Sequence, residues 1–427
     1  MQPSQDLTPD ARSPAPALAG LRVVEFTAGM AGPWIGRFLA YCGAEVIKVE
    51  SNKRPDVTRQ YVPPWAPEMG VQTQLSPWLT DWNAGKRYVA LDLTRPGAIE
   101  LCTRLVAMSD VVVENYASGV IERLGLGYDT LRRAKPDLIM LSSSGYGNDG
   151  PYHRYITWGP NIEALSGMST VSGFAHRPCT VTQYAYPDTI GALHGLFALL
   201  CALEYRRRTR EGQHISLSQY EATAAVIGDV LMQYTANGRE PERLGNRSRR
   251  GAPHGCYRCR GEDRWVAIAV MCDAEWARFC GIIGQPGLVT DARFATAAAR
   301  VTRAEELDSI VDAWTSGRDA YDVMATLQSA GIAAGVVQTV EDGFERDPHV
   351  RARGFFEEID HVRKGTVVAT GIPLGLTGTP GHTAGTGAAI GADNAYVFGE
   401  LLGLSSAEIE QYRTEGAIEA DEPTASR

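Results

Sequence analysis

LAGLRVVEFTAGMAGPWIGRFLAYCGAEVIKVE, residues 18–50, sets a short β-rich run (21–26), a Gly-rich turn (28–33), a helical stretch (34–42) and a second β-rich run (45–50) in immediate succession. This is a βαβ unit, and its turn lies at the carboxyl end of the first strand, where parallel sheets receive ligands. The dinucleotide fingerprint is absent: Gly29 and Gly32 give G-x-x-G, but nothing stands for the remaining glycine of G-x-G-x-x-G.

Outward from this unit, strand-like runs at 23–26, 46–49, 111–114 and 138–142 alternate with helical stretches at 96–108 and 128–134. That alternation predicts an α/β fold, a Rossmann-like large domain with a mostly parallel sheet over residues 18–224. A Gly/Pro/Arg-rich linker at 238–255, a strand at 265–270 and helices near 274–283, 304–315 and 320–330 predict a smaller mixed α/β domain over 225–331. The polar ends, 1–17 and 415–427, read as disordered tails. No repeat of 20–50 residues is evident.

With 427 residues and 44% hydrophobic composition, the chain has ample material for large cores. A net charge of −9 argues against a nucleic-acid surface as its main purpose, while leaving room for a local basic pocket for phosphates. No uninterrupted apolar run reaches the roughly 18–20 residues of a membrane span. The longest candidate, 190–203, is broken by Gly191, His194 and Gly195, and no signal pattern opens the chain, so a cytoplasmic location is expected. The eight cysteines are scattered. Only Cys256 and Cys259 have motif spacing, without a second pair or a suitably spaced histidine, so a reduced structural pair is expected and no metal site.

A second stretch, YPDTIGALHG at 186–195, sets one carboxylate, Asp188, at the start of a small, apolar helical run that continues to Tyr205 and reads as buried on most faces. Pro187 suits a first helical turn, and an Asp there meets unpaired N–H groups and the positive end of the helix dipole. A helix cap and a fixed, ionised nucleophile are both compatible with that position.

With these two stretches come NAGKRYVALDL, SDVVVENYASGVIERLGLGYDTL, KPDLIMLSSSGYGNDGPY and RTREGQHISLSQYEA, in this order. The set resembles the class III CoA-transferases, the group of formyl-CoA, carnitine and benzylsuccinate CoA-transferases, over roughly residues 18–230 and more weakly beyond. The resemblance implies that residues 332–414 rejoin the large domain and that two chains interlock as a dimer, of like or related subunits. It makes Asp188 the catalytic aspartate, working through a covalent aspartyl-CoA thioester. Coenzyme A or its thioester is then a substrate, with no tightly bound cofactor, and Ala28, Gly29, Met30, Ala31, Leu91, Arg95, Asn115, Tyr116 and Arg123 match the positions that contact it. Arg59, Lys86 and Arg87 are further candidates for its phosphates, whereas the arginines at 206–210 suit the dipole at a helix end.

Two departures from the family pattern bear on substrate. Residues 245–255 contain no Gly run such as formyl-CoA transferase places over its aspartate, and Pro160 stands at the position of its helper glutamate. A different closing element and a larger acid follow, with succinyl-CoA as donor and an aromatic or branched acid, such as an arylsuccinate, as acceptor. The alternatives are an α-methylacyl-CoA racemase and a non-catalytic subunit of a heteromer. Trp158 occupies the racemase's histidine position and cannot be a base, and His153 is five residues away.

Overall fold

The computed structural model describes residues 15–60, 76–182, 184–361 and 365–420. Contacts divide the chain into two units. The larger comprises residues 1–167, 182–228 and 351–427, and the smaller 168–181 and 229–350.

Six strands form the sheet of the larger unit: β1 (Arg22–Phe26), β2 (Glu45–Glu50), β3 (Arg87–Ala90), β4 (Val111–Glu114), β5 (Ile139–Ser144) and β6 (Gln213–Ser218). Every pairing is parallel, in the order β3-β2-β1-β4-β5-β6. β1, β2, β4 and β5 are buried on both faces, so the apolar residues of β1, β4 and β5 fall in runs (VV, VVV, IML) and not in alternation, and Lys48 and Glu50 of β2 are themselves buried. The order reverses between β1 and β4, which opens a crevice beyond their carboxyl ends.

Helices α1 (Ala31–Tyr41), α2 (Pro96–Ala107), α3 (Gly159–Leu165), α4 (Tyr186–Thr209) and α5 (Gln219–Val226) complete what positions the site. α4 lies on α1 and β5 through small residues. A Cβ on Gly195 would stand 3.0 Å from Leu141 and 3.2 Å from Ile35, and one on Gly191 would stand 2.9 Å from Gln219. The expectation that this helix is buried on most faces is corrected: Leu193, Leu200 and above all Phe197, 70% exposed, face outward. The 24-residue helix is long and apolar enough to cross a membrane by length and composition, with an 18-residue window of mean hydropathy 1.3, although Gly191, His194 and Gly195 interrupt its apolar run. Within the chain, its small-residue face serves as a core face.

In the smaller unit β7 (His254–Arg258), β8 (Trp265–Ala269) and β9 (Ala333–Val336) form an antiparallel sheet over a core that includes Trp276, Phe279, Phe294 and Leu307. β9 was expected to begin the return to the large domain at 332. It pairs with β8 instead, and the return begins at 351. Cys256 is exposed and Cys259 buried, and neither forms a disulfide. A hairpin of β10 (Phe356–His361) and β11 (Gly365–Thr370) follows in the larger unit.

The expected tail at 415–427 is also corrected in its described part. Ala417 and Ile418 are buried, Ile418 bridges to Leu91 just past β3, and Glu419 accepts hydrogen bonds from Ser51 and Asn52. Two apolar residues in a polar segment suffice to anchor it. The expected tail residues 1–14 lie outside the described residues.

Candidate active site

The turn that follows β1 is held peptide by peptide. Lys48 Nζ donates to the Thr27 carbonyl at 2.7 Å. Asn115, just past β4, accepts from the Ala28 N–H at 2.9 Å and donates back to its carbonyl at 2.8 Å, so one side chain ties the two strands across the switch point. Gly29, at φ +73°, donates its N–H to Asp56 at 3.0 Å. Asp56 forms an ion pair with Lys48 at 3.0 Å, and both side chains are inaccessible to solvent. Beneath them Lys86 donates to Glu25 at 2.7 Å, and burial lowers its pKa to about 8 despite that partner.

Asp188 occupies the first turn of α4, whose cap is Ala185. Its own N–H donates to the Ala185 carbonyl at 3.1 Å, and the backbone N–H groups of Asp188 and of Ala31, the first residue of α1, favour its charged form. Burial nevertheless wins and pushes its pKa up to about 6. No cation pairs with it among the described residues. Gly159 closes the other side: a Cβ there would stand 2.6 Å from Asp188 Oδ2, so a larger residue displaces the carboxylate.

Asp188 lines a cavity of about 440 Å³. Ala28, Gly29, Met30, Asn115 and Tyr116 form one side, and Trp78, Trp82, Tyr155, Trp158 and Tyr184 give much of the rest an aromatic surface. Trp78 and Trp82 stack at 4.9 Å. No lysine or arginine is among the described lining residues. A second cavity, about 520 Å³, shares Ala28 and Tyr116 with the first and carries Leu91, Lys53, Arg54 and Arg95. Each is of ligand size, and the pair meets at the switch point.

The sequence expectations divide accordingly. Gly29 and Met30 line the first cavity, Leu91 and Arg95 the second, and Ala28 and Tyr116 both. Ala31 lines neither and serves Asp188. Asn115 lines the first cavity, but its amide is committed to Ala28. Arg123 lines neither cavity and is exposed beside Gly119. Three phosphate candidates are corrected. Arg59 is fully buried, with Nε 2.6 Å and Nη2 2.9 Å from Glu50. Lys86 is held by Glu25, Pro33 and Asn83, and Arg87 by Glu45 and Asp393. Arg206 pairs with Asp110, and Arg207 and Arg208 with Glu204, as a helix end accounts for.

Sequence reasoning missed Lys53 and Arg54. The signal was available, because SNKR follows β2 directly and the carboxyl ends of strands are where a parallel sheet binds. It also missed Trp78 and Trp82. His153 does line the first cavity, with Nδ1 2.6 Å from the Gly150 carbonyl.

Residues 18–394 match the CoA-transferase family III, and the chain belongs to that family. It is 33% identical to the succinyl-CoA–D-citramalate CoA-transferase of Chloroflexus aurantiacus, over 95% of this chain and 99% of that one. It is 31% identical to the succinate–glutarate CoA-transferase of Agrobacterium fabrum, over 90% and 96%. Among solved structures, a CAIB/BAIF family protein from Brucella suis superposes with a TM-score of 0.82 at 31% identity, covering 91% of this chain and all of that one. The chain is a class III CoA-transferase, with CoA thioesters as substrates.

Proposed function

We propose that this enzyme moves CoA from succinyl-CoA to a carboxylic acid with an aromatic or branched body, using Asp188 as the nucleophile. The observation that carries this reading is Asp188 itself, a carboxylate without a cation partner among the described residues, in the first turn of α4 and lining a cavity of ligand size. Its oxygen attacks the thioester carbonyl, forming a C–O bond as the C–S bond breaks, and leaves a mixed anhydride and CoA thiolate. The thiolate attacks the Asp188 carbonyl carbon, releases the donor acid as carboxylate and gives the aspartyl-CoA thioester. The acceptor carboxylate opens that thioester to a second anhydride, and the thiolate then takes the new acyl group and frees Asp188. No proton changes hands, and burial protects both anhydrides from water.

The two cavities divide the substrate. Lys53, Arg54 and Arg95 offer charge to the phosphates in the second, the pantetheine arm runs past Ala28 and Tyr116, and the acyl group reaches Asp188 in the first. The aromatic surface around Asp188 favours an acid with an apolar body. The outward apolar face of α4 suits a second copy or a related subunit.

Incubation with succinyl-CoA and a panel of acids, with product thioesters identified by mass spectrometry, tests the assignment. Aryl- and branched-alkyl acids are expected to be converted fastest. Conversion of short unsubstituted diacids alone overturns the acceptor class, and no hydroxylamine-trapped label at Asp188 overturns the covalent route.

A further inference from the structure

Between α3 and α4 the chain leaves the larger unit after Gly167 and re-enters it at Thr182. The helix that carries Asp188 therefore begins at the end of an excursion, and its first turn needs an anchor inside the larger unit. Glu163 of α3 is placed to supply one. It is buried, 1% exposed, where a carboxylate is costly unless donors surround it. Thr182 provides them: its N–H lies 3.0 Å from Oε1 and 3.3 Å from Oε2, and its hydroxyl 2.6 Å from Oε2. That hydroxyl is also 2.8 Å from the Tyr184 carbonyl, one residue before the cap of α4. The same helix meets Asp188 at its other end. A Cβ on Gly159 would stand 2.6 Å from Asp188 Oδ2 and 3.0 Å from the Ala185 side chain.

We infer that Glu163 is a positioning residue for the nucleophile. By gripping Thr182 it fixes the approach to α4, while Gly159 at the start of α3 sets how close the Asp188 carboxylate lies. One rigid helix thus holds both the lead-in segment and the space beside the reacting oxygen. Pro160, at the position of the helper glutamate of formyl-CoA transferase, brings no carboxylate. Glu163 acts from the next turn of the same helix and does not line the cavity. The inference rests on Asp188 as the nucleophile.

A misplaced nucleophile slows chemistry more than it weakens substrate binding, which makes the separation of kcat from KM the readout. Glu163→Ala is expected to lower kcat for CoA exchange at least about tenfold while KM for the CoA thioester stays within about twofold. Trapped label should accumulate at Asp188 correspondingly slowly. Glu163→Gln keeps an acceptor for the Thr182 N–H and is expected to recover most of the loss. A wild-type kcat in folded Glu163→Ala overturns the inference, as does a rise in KM matching the fall in kcat. Should Glu163→Ala not fold, Thr182→Val, which removes only the hydroxyl contact, is expected to show a smaller fall in kcat, and an unchanged kcat there overturns it equally. Asp188→Asn assayed in parallel separates the two readings. Retained exchange in that variant removes the nucleophile assignment, whereas an inactive Asp188→Asn beside a normal Glu163→Ala removes only the role of Glu163.

Discussion

Asp56 and Asp188 answer to the same stretch of backbone, Asp56 as acceptor for the Gly29 N–H and Asp188 under the influence of the Ala31 N–H, yet their surroundings send them in opposite directions. Burial pushes both carboxyls up. At Asp56 the Lys48 ammonium and the N–H groups of Thr58 and Gly29 outweigh burial and hold the group below its ordinary value. At Asp188 only backbone donors oppose burial, and the pKa rises to about 6. A carboxylate whose oxygens are taken up by an ammonium is a strut. One that remains under-compensated has a raised pKa, the kind of perturbation that marks reactive sites.

Removing the under-compensated charge is the strongest test of that contrast. Asp188→Asn is expected to lower exchange by several orders of magnitude and to raise stability. The folded pKa lies above the unfolded one, so the folded state binds more protons between pH 4 and 6, and stability falls as pH climbs through that window. Above it the native enzyme carries a deficit that the amide removes, at most on the order of 2–3 kcal/mol. Urea denaturation at pH 8 should favour the variant, and the advantage should vanish near pH 4. The acid limb of kcat/KM in the native enzyme should have its midpoint near 6. A variant less stable than the native enzyme at pH 8 breaks the comparison.

The strut predicts the reverse sign. Asp56→Ala leaves Lys48 buried without its closest carboxylate partner and is expected to cost about 3–5 kcal/mol at pH 7. Because the folded pKa of Asp56 is depressed, its contribution is present above the unfolded value and is lost as pH falls through the folded one. The penalty should therefore shrink in acid, while that of Asp188 disappears there. Lys48→Met combined with Asp56→Leu should recover much of the loss. Destabilisation that stayed equal from pH 7 down to well below pH 4 would mean that Asp56 acts by packing and not by charge.

How much of this was readable beforehand follows from the range of each interaction. The βαβ unit, the parallel sheet and the place of Asp188 in the first turn of a helix rest on local patterns, and all three were legible. Charge partners were not. In sequence Lys86 looks the same whether it meets a phosphate or Glu25, 61 positions away, and Arg59 gave no sign that Glu50 had claimed it. Asn115 was read as a contact to CoA, and that its amide is consumed by Ala28 depends on the approach of β1 to β4, which sequence does not show. The uniform small-apolar composition of α4 could not say which face packs, since that depends on where Gly191 and Gly195 meet Gln219 and Leu141.

The smallest expected effect sharpens the comparison by acting away from both carboxylates. Arg95 lines the second cavity with its side chain 53% exposed, 3.7 Å from Asp92, and so retains donors for a phosphate. Arg95→Ala is expected to raise KM for the CoA thioester about tenfold, about 1.4 kcal/mol, with kcat moved much less. Arg123 lines neither cavity, and Arg123→Ala should change KM by no more than about twofold. With an acyl-pantetheine donor, which lacks the nucleotide, the effect of Arg95→Ala should disappear. The acid limb near pH 6 should stay in place in both variants, because neither charge belongs to the surroundings of Asp188. If Arg95→Ala moved that limb, the charge that matters to Asp188 would reach it across the turn, and the two carboxylates would not be as separately set as their surroundings make them.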